Sequence, residues 1–524
     1  MWYKAEAFWA SEYAGRILWD NGLTPIYVSD NPVLNSQHVL LEAAKAYRYG
    51  LPYHAALASV TTAPAERLGF AKRLGKIKAG FDADIVVWDS DPLSAGAAPV
   101  QVWIDGTAQF ENPVVLDKPA AEVMTPDEKL AEILEDPTYH DDVIFTGISG
   151  VLLSDSSSTT KTQNVVVSKG KVSCIGVCAD ELAAASQSKV PVIKLSRGYL
   201  THSLTVFGSG LGLNSIDMEA DTDNGNSDKT FSRAEDGLRL DNKKLHIAYK
   251  YGVTKAISAP KYNGAGTHYG TSAGFLTGAE TVLKNGTVFA PDGALHYTLD
   301  HGAKDPTVSA AVGALRKKLL DAAALKEAPK DSYSEEAFLY KVVRDSFSLA
   351  ITVQSADGIA SALKVKAAVD KAADTSIRLV IFGGAESYLV ADELASAKVG
   401  VILSPIFSYA TKWDQRRALT GAPLTNGTAV DRLIDAGVKV AFAPAEDWEV
   451  RTLALSAGIA YKNGGGRLSE KSAFALVSSN IYELLGLEQP GLEQGHFVVY
   501  EGSPLEINGR VKAVGGGKDV VSVF

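Results

Sequence analysis

From Tyr199 onward the sequence alternates short apolar runs with longer amphipathic stretches, and this alternation constrains the fold more than any other feature. The runs are "LTVFGSG", "GVTKAISAP", "SLAITVQS", "IRLVIFGG", "VGVILSP" and "VKVAFAPA", with segments such as "GIASALKVKAAVDKA" and "SYLVADELASA" between them. A strand that is apolar on both faces belongs in a parallel sheet covered on both sides, and the intervening helices supply the cover. So many units in about 280 residues suit a (β/α)8 barrel better than an open sheet. A dinucleotide-binding alternative lacks its fingerprint, because no G-x-G-x-x-G follows a first strand and opens a helix. "YKNGGGRLS" is glycine-rich but comes late and after a helix, and is read as a surface loop.

The N-terminal region has a different texture. A helical pattern, "AEAFWASEYAGRILWDNG", closes at Gly22, and a strand-like run "LTPIYVSD" comes next. "SQHVLLEAAKAYRYG" is helical again, with Ser36 placed as N-cap and Gly50 as stop. The helical "YHAALASVTTAPAERLG" leads to two alternating strands, "ADIVVWD" and "PVQVWIDGT". The text between about 114 and 140, "KPAAEVMTPDEKLAEILEDPTYHDD", is acidic and proline-punctuated, and is read as a linker. The expected organisation is therefore residues 1–113, a linker over 114–140, and a complete domain over 141–524. An internal repeat ties the parts together: "NGLTPIYVSD…LLEAAKAYRYG" matches "AGVKVAFAPAED…LALSAGIAYKNG" about 415 residues later. Each copy continues through a helix ending in Leu-Gly to a strand, "ADIVVW" or "HFVVYE". Residues 1–113 thus read as the closing part of a domain whose complete copy occupies 141–524.

A formal net charge of -10 and the lack of any Lys/Arg run argue against nucleic acid as the main partner. No apolar stretch reaches the roughly 18 residues that span a bilayer, and the N-terminus lacks a secretory pattern. A cytosolic address is the default expectation. Cys174 and Cys178, in "GKVSCIGVCADE", would lie roughly 13 Å apart along an extended strand. A disulfide accepts no more than about 7 Å between Cα atoms, so two buried free thiols are expected. The sequons at Asn285 and Asn426 are first of all Asn-Gly turn signals.

Two stretches also carry a family resemblance. "ASVTTAPAERLGFAKRLGKIKAGFDADIVVWDSDPL…VWIDG" resembles the C-terminal signature of the amidohydrolase superfamily, and "NVVVSKGKVSCIGV…VIKLSRGYLTHSLTVFGSGLG" its N-terminal signature. The nearest branch is the imidazolonepropionase and N-acetylglucosamine-6-phosphate deacetylase type, as in large fungal tandem-domain proteins. The resemblance implies a (β/α)8 barrel with a small β-sandwich built from both ends of the domain. It also implies metal-dependent hydrolysis, mostly of C–N bonds other than peptide bonds. The implied zinc ligands sit at strand ends: His-x-His on strand 1, a Lys or Glu on a middle strand, single His on strands 5 and 6, and Asp on strand 8. Three or so such donors hold Zn²⁺ with one position open, and the metal lowers the pKa of its water to about 7.

Carried over residue by residue, residues 141–524 lack this set. Gly208 and Gly210 stand at His-x-His, Gln354 at strand 5, Gly383 or Gly384 at strand 6, and Ala445 at strand 8, with Glu446 one residue away. Among the histidines, His246 falls on a helix flank, His268 in a Gly-rich loop, and His296 and His301 five apart near a strand end. His202 precedes strand 1 facing away from the site. His38, His54, His140 and His496 have no motif context. In the first part, Asp30 of "IYVSDNP" matches the strand 8 aspartate, as metal ligand and proton acceptor; a strand-to-helix capping role is its rival. Two functions are compatible with this pattern. One is a C–N hydrolase whose active barrel is completed by strands encoded upstream of Met1. The other is a catalytically inactive scaffold or small-molecule binding domain. Residues 141–524 are expected to bind no zinc tightly, and residues 1–113 to be the part most open to proteolysis.

Overall fold

The structure is a computed structural model describing residues 3–121, 136–153, 162–227, 230–262, 268–299 and 307–524. His301 and residues 122–135 of the expected linker lie outside the described residues.

Among the described residues, seven strands of the curled sheets run parallel: Leu204–Phe207, Val253–Ser258, Leu295–Thr298, Leu349–Val353, Leu379–Gly383, Gly400–Leu403 and Val440–Phe442. Alternate side chains point to opposite faces. Phe207, Ile257, Ala350, Val380, Ile402 and Ala441 pack together in the interior. Leu204, Val206, Ile351, Ile381, Val401 and Phe442 pack outward with the helices Val308–Ala324, Ala356–Ala373 and Leu453–Asn463. Burial on both faces is why these strands read as continuous apolar runs.

These strands belong to two curled sheets, of four and six strands, and not to one hydrogen-bonded ring of eight. Two places account for this. Where a third parallel strand is expected, Ala273–Leu276 and His268–Thr271 pair antiparallel with their neighbours Val253–Ser258 and Leu295–Thr298. At the other seam, an irregular segment carries the bonds between the last strand and the first. Phe442 N–H donates to Leu476 O at 2.7 Å, and Thr205 N–H donates to Val477 O at 3.1 Å.

Residues 138–202 and 497–523 build an eight-stranded sheet, so the end of the expected linker is a strand; the order is Thr138–His140, Val521–Val523, Arg510–Val514, Phe497–Glu501, Val192–His202, Val143–Leu152, Gln163–Ser168, Lys171–Gly176. Its core is Phe145, Ile148, Val165, Leu200, Phe497 and Val499. Cys174 and Cys178 form a disulfide with Cα atoms 6.0 Å apart, contrary to the expected free thiols. The extended-chain assumption fails there. The strand stops at Gly176 (φ 138), and Cys178 turns left-handed (φ 48) into the helix Ala179–Gln187, folding the chain back on itself.

Residues 85–108 form a separate antiparallel sheet of Ile85–Trp88, Pro99–Ile104 and Thr107–Ala108. Ile104 faces Thr107 across the two-residue turn Asp105-Gly106, both at positive φ (49 and 77), the geometry that matches strand twist. The strand expected over 23–30 does not form. A parallel strand needs a neighbouring ladder, and among the described residues this stretch has a single backbone bond to a distant segment, Tyr27 N–H to Ser59 O at 3.1 Å, beside local turn bonds. The next helix is Val39–Arg48, preceded by a 3-10 turn Ser36–His38. Its cap is Asn35, not Ser36: the Asn35 carboxamide oxygen accepts Gln37 N–H at 3.1 Å.

The N-terminal part docks firmly on the C-terminal region. Ala43, Ala46, Tyr47, Leu51, Ala55 and Leu93 enclose one core with Leu455 and Ile507. Around it Arg48 donates to Gly509 O at 2.8 Å, Tyr49 and Tyr251 share a hydroxyl bond of 2.9 Å, and Tyr409 donates to Pro32 O at 2.6 Å. Val114 N–H reaches Pro423 O at 2.9 Å, and Lys118 pairs with Asp89 at 3.0 Å, so the start of the expected linker is held as well. Among the described residues, no helix is long and apolar enough to cross a membrane.

Candidate functional site

The C-terminal ends of the parallel strands open into a cavity of about 1020 Å3. Its floor is Gly208, Ala259, His296, Thr352, Gln354, Gly383, Ser404 and Ala445. Its roof comes from the N-terminal part, the loop through Tyr27, Val33 and Asn35 and the helix face bearing His38, Glu42 and Lys45. Tyr409, Trp448, Glu449 and Arg451 close one side. The cavity is therefore composite.

On the floor, each position at which the resemblance calls for a ligand is occupied by packing or hydrogen bonding. Gly208 is left-handed (φ 72), and a Cβ there would stand 2.6 Å from the Phe382 ring. The Gln354 carboxamide donates to Ser404 O at 3.1 Å and accepts Ala385 N–H at 3.0 Å. Gly383 lies against that same carboxamide, 2.6 Å from a Cβ position. Gly210 N–H donates to Asp447 Oδ1 at 3.0 Å, and the other Asp447 oxygen accepts from Lys244 Nζ at 2.8 Å. Lys244 also holds Asp217 at 2.5 Å. A lysine ammonium thus neutralises the acidic group nearest Gly210.

His296 lies in the strand Leu295–Thr298, one residue from its start, and stacks on Phe207 with ring centroids 5.4 Å apart. Burial drives its pKa down to about 3, which keeps the imidazole neutral. His246 and His54 are exposed, and His496 is buried beside Thr254, remote from this cavity. A catalytic zinc needs about three converging imidazole or carboxylate donors, and the residues on this floor do not fit that ion. Among the described residues the three-donor group is Cys174, Cys178 and Glu181, on the eight-stranded sheet, with both sulfurs in the disulfide.

Asp30 is exposed at the tip of the roof loop with φ 51, and its carbonyl accepts Val33 N–H at 2.8 Å. It sits in a turn, not at a strand end, and the cavity lining passes through its neighbours Pro32 and Val33. The titratable groups lining the cavity include His38, Glu42, Lys45 and Glu449. Burial, then Lys45, lowers the His38 pKa. Burial raises that of Glu449 although one of its oxygens accepts Ala445 N–H at 2.7 Å and Glu446 N–H at 3.3 Å. Both shifts run toward the uncharged form of the group, with burial as the main cause. Sequence reasoning passed over these residues, yet a signal exists. Residues 38, 42, 45 and 49 recur at helical spacing opposite the buried alanine face of Val39–Arg48.

Known proteins share both the sequence and the fold. Residues 35–108 match the amidohydrolase family. Over 548 aligned residues the chain is 53% identical to Amidohydrolase tasK of Hapsidospora irregularis, covering 95% of this chain and 56% of that protein. The chain therefore spans about half the length of the curated relative it matches. An amidohydrolase from Thermotoga maritima superposes with a TM-score of 0.58 at 20% identity, over 73% of this chain and 99% of that one. This second likeness is one of fold alone.

Proposed function

We propose, for a chain that belongs to the amidohydrolase superfamily, that residues 141–524 are a degenerate member of that fold whose composite cavity binds a small molecule without metal chemistry. On this reading the two curled sheets are a modified (β/α)8 barrel, and residues 1–113 are the closing part of a first copy, kept as its roof. Superfamily members typically use a divalent metal. The observation carrying the proposal is that Gly208, Gly210, Gln354 and Gly383 are closed onto Phe382, Asp447, Ser404 and one another. These four positions leave no donor for an ion. His38 on the roof and the wall of Tyr409, Trp448 and Glu449 would then fix the ligand.

A second reading has support of its own. The relative is longer, and Asp30 stands just before the family match with its side chain exposed. In the longer protein, hydrolysis of non-peptide C–N bonds would then belong to a metal centre of the first copy, with Asp30 as ligand and proton acceptor. Dialysis of the 524-residue chain against zinc, followed by mass-spectrometric metal analysis, separates the readings for this chain. The expected result is substoichiometric zinc, unchanged by His38→Ala or Glu449→Gln. Stoichiometric zinc lost in either variant would place a rebuilt metal site in the cavity and overturn the proposal.

A further inference from the structure

A second cavity, of about 440 Å3, lies at the other end of the strand Val253–Ser258. Ala259 and Pro260, past the end of that strand, line the first cavity; Thr254 and Lys255, at its start, touch the walls of the second. The wall is made of turns that meet through glycine. A Cβ on Gly170 would stand 2.7 Å from Asp519 O, one on Gly495 2.8 Å from Gly170 O, and one on Gly516 2.2 Å from His496 Nδ1. Gly170, Gly286, Gly495, Gly516 and Gly517 are all left-handed, a conformation that suits glycine. Backbone therefore lines much of this space.

Its charge runs against that of the chain. Lys169, Lys171, Lys284 and Lys518 line the cavity with Glu488 and Asp519, and Lys284 takes Asp519 at 2.8 Å. Of the other three lysines, Lys518 donates to the Tyr139 hydroxyl at 3.3 Å, and Glu488 is the remaining carboxylate of the lining, in a chain of net charge -10. Beneath them the fully buried Lys255 donates to Pro490 O, in the cavity wall, at 2.9 Å. The buried Gln489 Nε2, in the same wall, has no hydrogen-bond partner among the described residues. Ammonium and N–H donors dominate, and an anionic acceptor is what they lack. Among the described residues the lining cations are lysines, which hold phosphate as point charges. Separate point charges around glycine turns suit a compact, multiply charged tetrahedral anion.

We propose that this cavity is a binding site for a small phosphate-bearing molecule, with the phosphate held between Lys171, Lys518 and the Gly516-Gly517 turn and capped by Gln489. It is separate from the strand-end cavity and does not depend on the function proposed for that cavity.

Calorimetric titration of pyrophosphate into the 524-residue chain tests it, with citrate as a non-phosphate anion of comparable charge. One pyrophosphate per chain is expected, with citrate weaker. The Lys171→Ala/Lys518→Ala double variant should weaken binding about tenfold or more, and Trp448→Ala, in the other cavity, should leave it unchanged. Gln489→Ala keeps every charge and should still weaken binding about threefold or more, which diffuse surface attraction would not produce. It decides the matter if the double variant does not fold. No saturable binding, binding undiminished in Gln489→Ala, or citrate equal to pyrophosphate would each overturn the proposal.

Discussion

Replacing Lys244 by methionine is expected to cost the folded chain about 3–5 kcal/mol, because it leaves two acidic groups facing each other without a counter-charge. The Lys244 side chain is 0% exposed and that of Asp447 5%, with the ammonium 2.8 Å from Asp447 and 2.5 Å from Asp217. Whether the intact triad is a net stabiliser is a separate matter, since removing three charges from water offsets most of their attraction. Breaking it is not balanced in this way. The same pairing holds Asp447 against Gly210 N–H, so its loss should also loosen the floor of the strand-end cavity. Urea denaturation measures the cost. The triple variant Lys244→Met/Asp217→Asn/Asp447→Asn should recover most of it, because an asparagine oxygen can still accept from Gly210. A loss below about 1 kcal/mol in Lys244→Met would mean that water reaches the site and the pair behaves like a surface bridge.

Leu455→Asp is expected to release the N-terminal part from the rest. Leu455 shares one core with Ala43, Leu51, Leu93 and Ile507. A carboxylate there loses the packing of the leucine and is itself stripped of water, at a cost of at least about 3 kcal/mol. In the parent chain, limited proteolysis should find residues 3–121 as resistant as residues 162–524, contrary to the fragility expected from sequence. In Leu455→Asp the N-terminal part should be digested while the curled sheets survive. Equal resistance of both parts in the variant would show that the polar contacts at Tyr49, Lys118 and Tyr409 suffice to hold the roof.

The firm docking departs from the fragility expected from sequence for a physical reason. The Ala43, Ala44, Ala46 and Tyr47 face is plain in the sequence as an amphipathic stripe, but a stripe does not name what covers it. The expectation was a barrel outside the chain; the structure covers it with Leu455 and Ile507. The Cys174–Cys178 bond was missed in a similar way. Spacing along an extended chain excluded it, and a left-handed residue at Cys178 reversed the chain locally. The strand over 23–30 was lost because periodicity reports an apolar face, whereas a strand also needs a ladder partner.

What the sequence determined by itself was the set of elements and their faces. Continuous apolar runs between amphipathic stretches dictated parallel strands covered on both sides, and the residue identities at 208, 210, 354 and 383 removed the imidazoles a zinc site needs. Both the apolar runs and the absence of an imidazole at 208, 210, 354 and 383 are matters of local chemistry, of which side chains exist and with what period they recur. That those four positions correspond to zinc ligands is the proposed reading. Tertiary structure decided what those positions do instead. Only folding brings Lys244 to Asp447, 203 residues apart, and sets Gly208 under Phe382. Only folding lays the helix face of His38, Glu42 and Lys45 over strand ends some 170 to 400 residues further along the chain. Such pairings depend on chain reversals and close backbone approaches, whose energies arise from contacts between distant segments and leave no periodic mark in the sequence.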